Sequence, residues 1–312
     1  MFTYTVIGTG AVGGYYGGLL ARAKHTVRFL ARSDCEYIRA HGLTVESVRG
    51  DFHIDQVEVY ASAQDIPPSD VVLISLKTTA NAGLVDLLRP LVRKGTVLCV
   101  MQNGLTMEDE LHAAFPESII MGAMCYLCAE KRGPGLICHL DAGHLALSPF
   151  DEGGSSTVQS LCREFESAGI RSSITANLGE ARWRKLLWNI PYNGLSVVLD
   201  SDTKKIMNTP PSRELVRALM GEVVAAAAAC GTPIGEESIT KMLEYTDSMT
   251  PYAPSMKLDY DHGRPMEIEY MYRRPVAAAK AAGCAMPKTE MLADLLSFRE
   301  CDQAPRTPQN AR

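Results

Sequence analysis

The chain has no apolar run long enough to cross a bilayer: its longest, Val223 to Cys230, falls far short of the ~20 residues a membrane helix needs. Its opening, MFTYTVIG, lacks the basic leader of a secretory signal and reads as a strand, so a cytoplasmic protein is expected. Nine cysteines, odd in number and scattered, argue in that setting for reduced thiols rather than a disulfide framework. No basic stripe and no acidic tail stand out from a net charge of −5 spread along the chain, so neither nucleic acid nor a basic partner is expected. There is no internal repeat, and the seven histidines form neither H-E-x-x-H nor a triad-like grouping. What is present in quantity is apolar character, 46% against 21% charged residues over 312 positions, enough for one large domain or two ordinary ones.

The first half alternates strand and helix signals. TYTVIG is a short β-rich run, Ala11 to Lys24 reads as a helix of small apolar residues, and Thr26 to Arg32 alternates like a strand. Asp70 to Lys77, Gly95 to Asn103 and Ser118 to Cys125 are near-continuous apolar runs, the mark of strands buried on both faces of a parallel sheet. From Asn177 on, strand signals vanish. Asn177-Leu-Gly-Glu180 fits a helix cap with an acidic residue in the first turn. Ser212 to Cys230 reads as an alanine-rich helix, and Pro265 to Ala282 as another, opened by proline. The expected fold is α/β: a Rossmann-type parallel-sheet domain over 1–175, then an all-α domain over 176–300. The polar, proline-bearing tail over 301–312 is expected to fray.

Gly8-Thr9-Gly10-Ala11-Val12-Gly13 is G-x-G-x-x-G set between a strand and a helix. In that context the first glycine permits the tight turn, the second lets backbone approach a pyrophosphate, and the third lets helix pack on strand. The helix N-terminus then offers N–H groups to the phosphates. The second strand ends Leu30-Ala31-Arg32-Ser33, where an NAD-binding chain would carry a carboxylate for the ribose. Arg32 and Ser33 suit a 2′-phosphate instead, which favours NADPH. Asp34 competes: a slightly longer turn would bring it to the ribose and leave Arg32 solvated. Lys77 closes the third apolar strand at the sheet's carboxyl edge, beside the adenosine end of a cofactor or simply in solvent.

In the second half, Lys185, Asn189 and Asn193 are spaced by four, so on a helix they form one polar stripe among Trp183, Leu186, Leu187, Trp188 and Ile190. Buried polar groups need partners, and an oxygen-rich ligand would supply them; a solvent-facing stripe is the alternative. Pro191 is expected to bend this helix. Glu267 is placed in the first turn of the helix opened by Pro265, and Glu269, two residues on, points elsewhere. Cys125, Cys128, Cys138 and His139 offer zinc-ligand types, but no second pair completes a site at convincing spacing, and no metal is expected.

Taken together, GTGAVG, Gln102-Asn103-Gly104 after a buried strand, WRKLLWNIPYN, SMKLD and GRPMEIEY resemble the ketopantoate reductases (2-dehydropantoate 2-reductases), in order and spacing over roughly Thr3 to Leu296. The resemblance implies NADPH-dependent reduction of ketopantoate to pantoate, a step toward pantothenate and coenzyme A. It implies Lys185 as general acid, Asn103 near nicotinamide and substrate, and Asn189, Asn193 and Ser255 on the substrate's carboxylate and hydroxyl. It also implies Glu267 at the cofactor and beside the lysine, Ala129 touching the cofactor through its backbone, and both molecules meeting between the domains. Three places depart from the common pattern: Gly194 where proline or alanine is frequent, Glu269 for aspartate, and Tyr272-Arg273-Arg274 where many members have a glycine turn. The expected partner is a small 2-oxo acid; a homodimer stays open. Rival readings are a reductase of the same build acting on another 2-oxo acid or an imine, and a non-catalytic NADPH sensor.

Overall fold

A computed structural model describes residues 1–251 and 253–302. The chain divides into two compact units, Met1–Leu178 and Gly179–Arg312. The first carries ten strands: β1 Tyr4–Ile7, β2 Val27–Leu30, β3 Leu43–Ser47, β4 Phe52–Ile54, β5 Glu58–Tyr60, β6 Val71–Ile74, β7 Val97–Val100, β8 Ile119–Gly133, β9 Leu136–Pro149 and β10 Ser172–Ile174. Its helices are α1 Ala11–Arg22, α2 Cys35–His41, α3 Leu84–Leu88, α4 Met107–Ala114 and α5 Ser155–Ser167.

These strands form one sheet in the order β4-β3-β9-β8-β7-β6-β1-β2-β5, with β10 beside β9. From β5 to β8 every pairing is parallel. The strand order reverses between β1 and β6, and ligands of open parallel sheets bind at the carboxyl ends of strands flanking such a reversal. The apolar runs explain the centre: every residue of β1, β6 and β7 is buried, as strands covered on both faces must be. Helix α5 buries Val158, Leu161, Cys162 and Phe165, a helical stripe that packs on β9 and β10.

The sheet is not parallel throughout. The run expected to end at Cys125 continues to Gly133 and returns as β9, antiparallel to it, and β4 pairs antiparallel to β3. The physical reason is the Gly133-Pro134-Gly135 turn, with Gly135 at φ +63°, which lets the chain double back tightly. β9 then pairs with β3 and β10 in parallel.

The second unit is all helix among its described residues: α6 Leu178–Val198, α7 Thr203–Asn208, α8 Pro210–Ala229, α9 Glu237–Ser248, α10 Ser255–Asp261, a π-helical turn Glu269–Arg273, α11 Arg274–Ala281 and α12 Pro287–Cys301. Asn177 immediately precedes α6, with Glu180 in its first turn paired to Arg184 at 2.8 Å. α8 starts with proline at its first turn, where the missing N–H costs nothing. The helix expected from Pro265 instead begins at Ile268. The Ile268 N–H donates to Met266 O at 2.9 Å and not to Arg264 O, so the first ladder bond of a helix begun at Pro265 is missing; the Arg264 N–H donates to Asp259 O at 2.8 Å and the Met266 N–H to Glu300 Oε1 at 2.6 Å. α12 runs through Cys301, the first residue of the stretch expected to fray, and 303–312 lie outside the described residues. No described helix is long and apolar enough to cross a membrane.

α1 lies so close to the sheet that a Cβ on Gly13 would stand 2.2 Å from Gly8 O and 2.2 Å from Ser75 Oγ. A Gly13→Ala variant is expected to lose about 3 kcal/mol of stability. Gly83→Ala, whose Cβ would meet nothing within 4 Å, serves as the neutral control. Urea unfolding midpoints compare them; a Gly13→Ala midpoint matching wild type would refute the close approach.

Candidate active site

At the carboxyl edge of the first unit, β1 ends at Ile7 and Gly8 turns the chain at φ +95°. That φ is open to glycine and strained for other residues. A Cβ there would also stand 2.8 Å from the Leu76 amide nitrogen. Ser75, just past β6, donates through Oγ to Ile7 O at 2.9 Å and Gly8 O at 2.8 Å. Thr9 Oγ1 donates to Leu30 O at 3.2 Å, so the turn is fastened to the exits of β6 and β2. Gly10 caps α1 without any side-chain hydrogen bond, and a Cβ on it would meet nothing within 4 Å. Ala11, Val12 and Gly13 form the first turn of α1, whose N–H groups lack intrahelical partners, at the positive end of the helix dipole. This cradle fits a pyrophosphate.

Arg32 and Ser33 follow β2 and both are exposed. Asp34 is buried and committed elsewhere. Its Oδ2 lies 2.5 Å from Lys131 Nζ and accepts from the Gly135 N–H at 3.2 Å, while its Oδ1 accepts from Ser33 Oγ at 2.9 Å. Burial pushes its pKa up, but the bonds from Lys131, Ser33 and Gly135 outweigh that and hold it below the ordinary carboxylate value. The reading in which Asp34 holds a ribose thus meets a carboxylate already bound to the β8–β9 hairpin, and an exposed arginine with a neighbouring hydroxyl is what the end of β2 presents.

Lys77, exposed, opens the short helix Thr78–Gly83 after β6. Asn103, half-buried, follows β7. Its neighbour Gln102 received no role from the sequence, yet its Nε2 donates to Leu76 O at 2.9 Å and Asn81 Oδ1 at 2.7 Å, tying the exits of β6 and β7. Ser75 was likewise missed; a small hydroxyl residue directly after a buried strand was the available signal. Ala129 stands on β8 opposite His139, at a register shift. The Cys125 thiol donates to Met101 O at 3.6 Å. His139 meets Ser47 Oγ at 2.8 Å and Asp141 O at 3.0 Å.

In the second unit, α6 carries Lys185, Asn189 and Asn193, which are 8, 6 and 1% exposed. The stripe is therefore buried, not solvent-facing. Asn189 Nδ2 is shut from water with no hydrogen-bond partner among the described residues. Asn193 Oδ1 accepts from the Met256 N–H at 3.0 Å and from Ser255 Oγ at 3.4 Å. The N-terminus of α10 has no cap of its own from Pro254; a side chain from α6 supplies it, which brings Ser255 to the stripe. α10 is also held by Lys257, whose Nζ pairs with Asp200 at 2.9 Å and with Asp261. Glu267 is buried and, with the helix starting at Ile268, stands just ahead of the first turn rather than in it.

Two family models match, described as "Ketopantoate reductase PanE/ApbA" over residues 4–152 and "Ketopantoate reductase PanE/ApbA C terminal" over 177–300. The 2-dehydropantoate 2-reductase of Nostoc sp. is 42% identical over 300 residues, 95% of this chain and 94% of its own length. The crystal structure of 2-dehydropantoate 2-reductase from Geobacter metallireducens superposes with a TM-score of 0.91 at 42% identity, covering 95% of this chain and 99% of that one. The ternary structure of D-mandelate dehydrogenase with NADH and anilino(oxo)acetate has a TM-score of 0.87 at 21% identity, with 96% and 98% coverage; at that identity the likeness is one of fold.

Replacing Asp34 by asparagine is expected to cost about 1–2 kcal/mol at neutral pH. The folded carboxyl titrates below its unfolded value of ~3.9, so its contribution is complete above ~pH 5 and is lost as pH falls through the folded pKa. Melting curves of wild type and Asp34→Asn should converge in acid. A gap that persists there would show that charge is not what ties this residue to the hairpin.

Proposed function

The chain belongs to the ketopantoate reductase family, and from that premise we propose that it reduces the 2-oxo group of ketopantoate to pantoate with NADPH. One observation carries the reading: an ammonium and two carboxamides lie buried in a row on α6, with Asn189 Nδ2 unpartnered among the described residues. An unmade buried hydrogen bond costs about 1–3 kcal/mol, and a substrate carboxylate or hydroxyl would relieve it.

Bound NADPH supplies the hydride that adds to C2. Lys185 hydrogen-bonds the ketone oxygen and transfers a proton to it as negative charge builds there, assistance worth ~10²–10⁴-fold. Asn189, Asn193 and Ser255 orient the substrate through its carboxylate and hydroxyl. Asn193 does so with its amide NH₂, because its carbonyl oxygen already serves Met256 and Ser255. Glu267 sets the surroundings of the lysine and lies at the cofactor. In the first unit, Gly8 to Gly13 and the start of α1 receive the pyrophosphate, Arg32 the 2′-phosphate, and Lys77 the adenosine end. Asn103 serves the nicotinamide and Ala129 the cofactor through its backbone.

NADPH oxidation in the presence of ketopantoate tests this directly. Lys185→Ala is expected to lower kcat by at least ~10²-fold with an unchanged fold by circular dichroism. Arg32→Ala is expected to raise the KM for NADPH about tenfold, from the loss of one charge-assisted contact, and to leave that for NADH alone. Equal wild-type rates with NADPH and NADH would remove the role given to Arg32. Faster turnover of another 2-oxo acid or an imine would reassign the substrate, and tight NADPH binding without turnover of any would favour a sensor.

A further inference from the structure

Tyr272 is fully buried, and its hydroxyl donates to Ile190 O at 3.0 Å across a chain separation of 82 residues. Ile190 lies between Asn189 and Asn193, and its carbonyl is the one that a regular helix pairs with the Gly194 N–H. The phenol sits at that step: a Cβ on Gly194 would stand 2.9 Å from the Tyr272 oxygen. Burial holds this phenol well above its usual pKa, with the Gly194 N–H pulling weakly the other way. We propose that Tyr272 is a positioning residue, whose hydroxyl set against the Ile190–Gly194 step of α6 holds Asn189 and Asn193 in the register that receives the 2-oxo acid. This inference rests on reading the α6 stripe as the substrate site.

Three features support it. Pro191 has no N–H, so Leu187 O loses its helical donor within the stretch that must hold the two asparagines in place; Tyr272 adds an anchor from outside the helix three residues further on, at Ile190 O. Tyr272 belongs to the π-helical turn Glu269–Arg273, and such turns concentrate at functional sites. The segment entering that turn begins with Glu267, whose carbonyl accepts from the Met271 N–H at 3.2 Å. One hydroxyl thus fastens the Glu267 segment to α6. Gly194 is the complement of this arrangement. Any side chain there would meet Leu292 Cδ2 at 2.6 Å as well as the phenol at 2.9 Å, so the absence of a side chain at Gly194 leaves room for the Tyr272 hydroxyl at this step.

The decisive variant is Tyr272→Phe, which removes only the hydroxyl. Arg273→Ala is the control: it breaks the exposed Arg273–Asp294 pair (2.7 Å) of the same turn. One readout is independent of turnover. The Met256 amide is bonded to Asn193 Oδ1, so its hydrogen exchange reports the position of Asn193. In Tyr272→Phe that exchange is expected to quicken about tenfold, and the KM for ketopantoate to rise about five- to tenfold. The KM for NADPH stays at the wild-type value, and Arg273→Ala changes neither. Unchanged Met256 exchange in Tyr272→Phe overturns the proposal whatever the activity, as does equal quickening in Arg273→Ala or an unchanged ketopantoate KM in an active enzyme. Absence of turnover in wild type would refute the assigned reaction, and the exchange measurement would then decide the positioning role by itself.

Discussion

Where a side chain on Gly13 would begin, 2.2 Å from a backbone carbonyl and a serine oxygen, space is already taken. This close approach of α1 to the β1 exit fixes the geometry of the whole carboxyl edge. Ser75 can bond both Ile7 O and Gly8 O only because the helix leaves it room at that distance. With α1 pinned there, its N-terminal N–H groups stand over the point where the strand order reverses. The exits of β2, β6 and β7 bring Arg32, Lys77 and Asn103 to the same edge.

The second unit works on the opposite principle, placing polar groups where apolar ones would be cheaper. Lys185, Asn189 and Asn193 are buried on a helix whose other faces are filled by Trp183, Leu186, Leu187 and Ile190. Burial of this kind is costly unless partners are found. The protein provides some of them: Asn193 caps α10 and gathers Ser255. It leaves Asn189 Nδ2 without one among the described residues. Such a row of buried polar groups is what the proposed recognition of a 2-oxo acid requires of α6.

Much of this was legible in the residues. Runs such as Val71–Ile74 and Val97–Val100 carry no polar interruption, so burial on both faces and hence a parallel sheet could be inferred without coordinates. The glycine spacing located the tight turn ahead of α1, and the spacing of four located the stripe. The antiparallel β8–β9 hairpin was not legible, because β9 mixes His139, Asp141 and His144 into its run and shifts register against β8. The helix start at Ile268 was also missed. Pro265 is a good first-turn residue by local preference, but in the folded chain the Ile268 N–H turns to Met266 O instead of the Arg264 O that a helix begun at Pro265 requires.

By itself the sequence determined what depends on neighbours within a few positions: which segments are apolar on one face or two, where the tight turn before α1 falls, and which side chains share a helix face. Tertiary structure alone decided what depends on partners far along the chain. Nothing in the sequence shows that Asp34 bonds Lys131 and Gly135, about a hundred positions away. The stripe on α6 could face water or the interior until the surrounding helices buried it. Tyr272 had no visible purpose until it met Ile190. The reason is common to all three: periodicity encodes local geometry, whereas a hydrogen bond between residues some eighty to a hundred positions apart exists only once the chain has folded and brought them together.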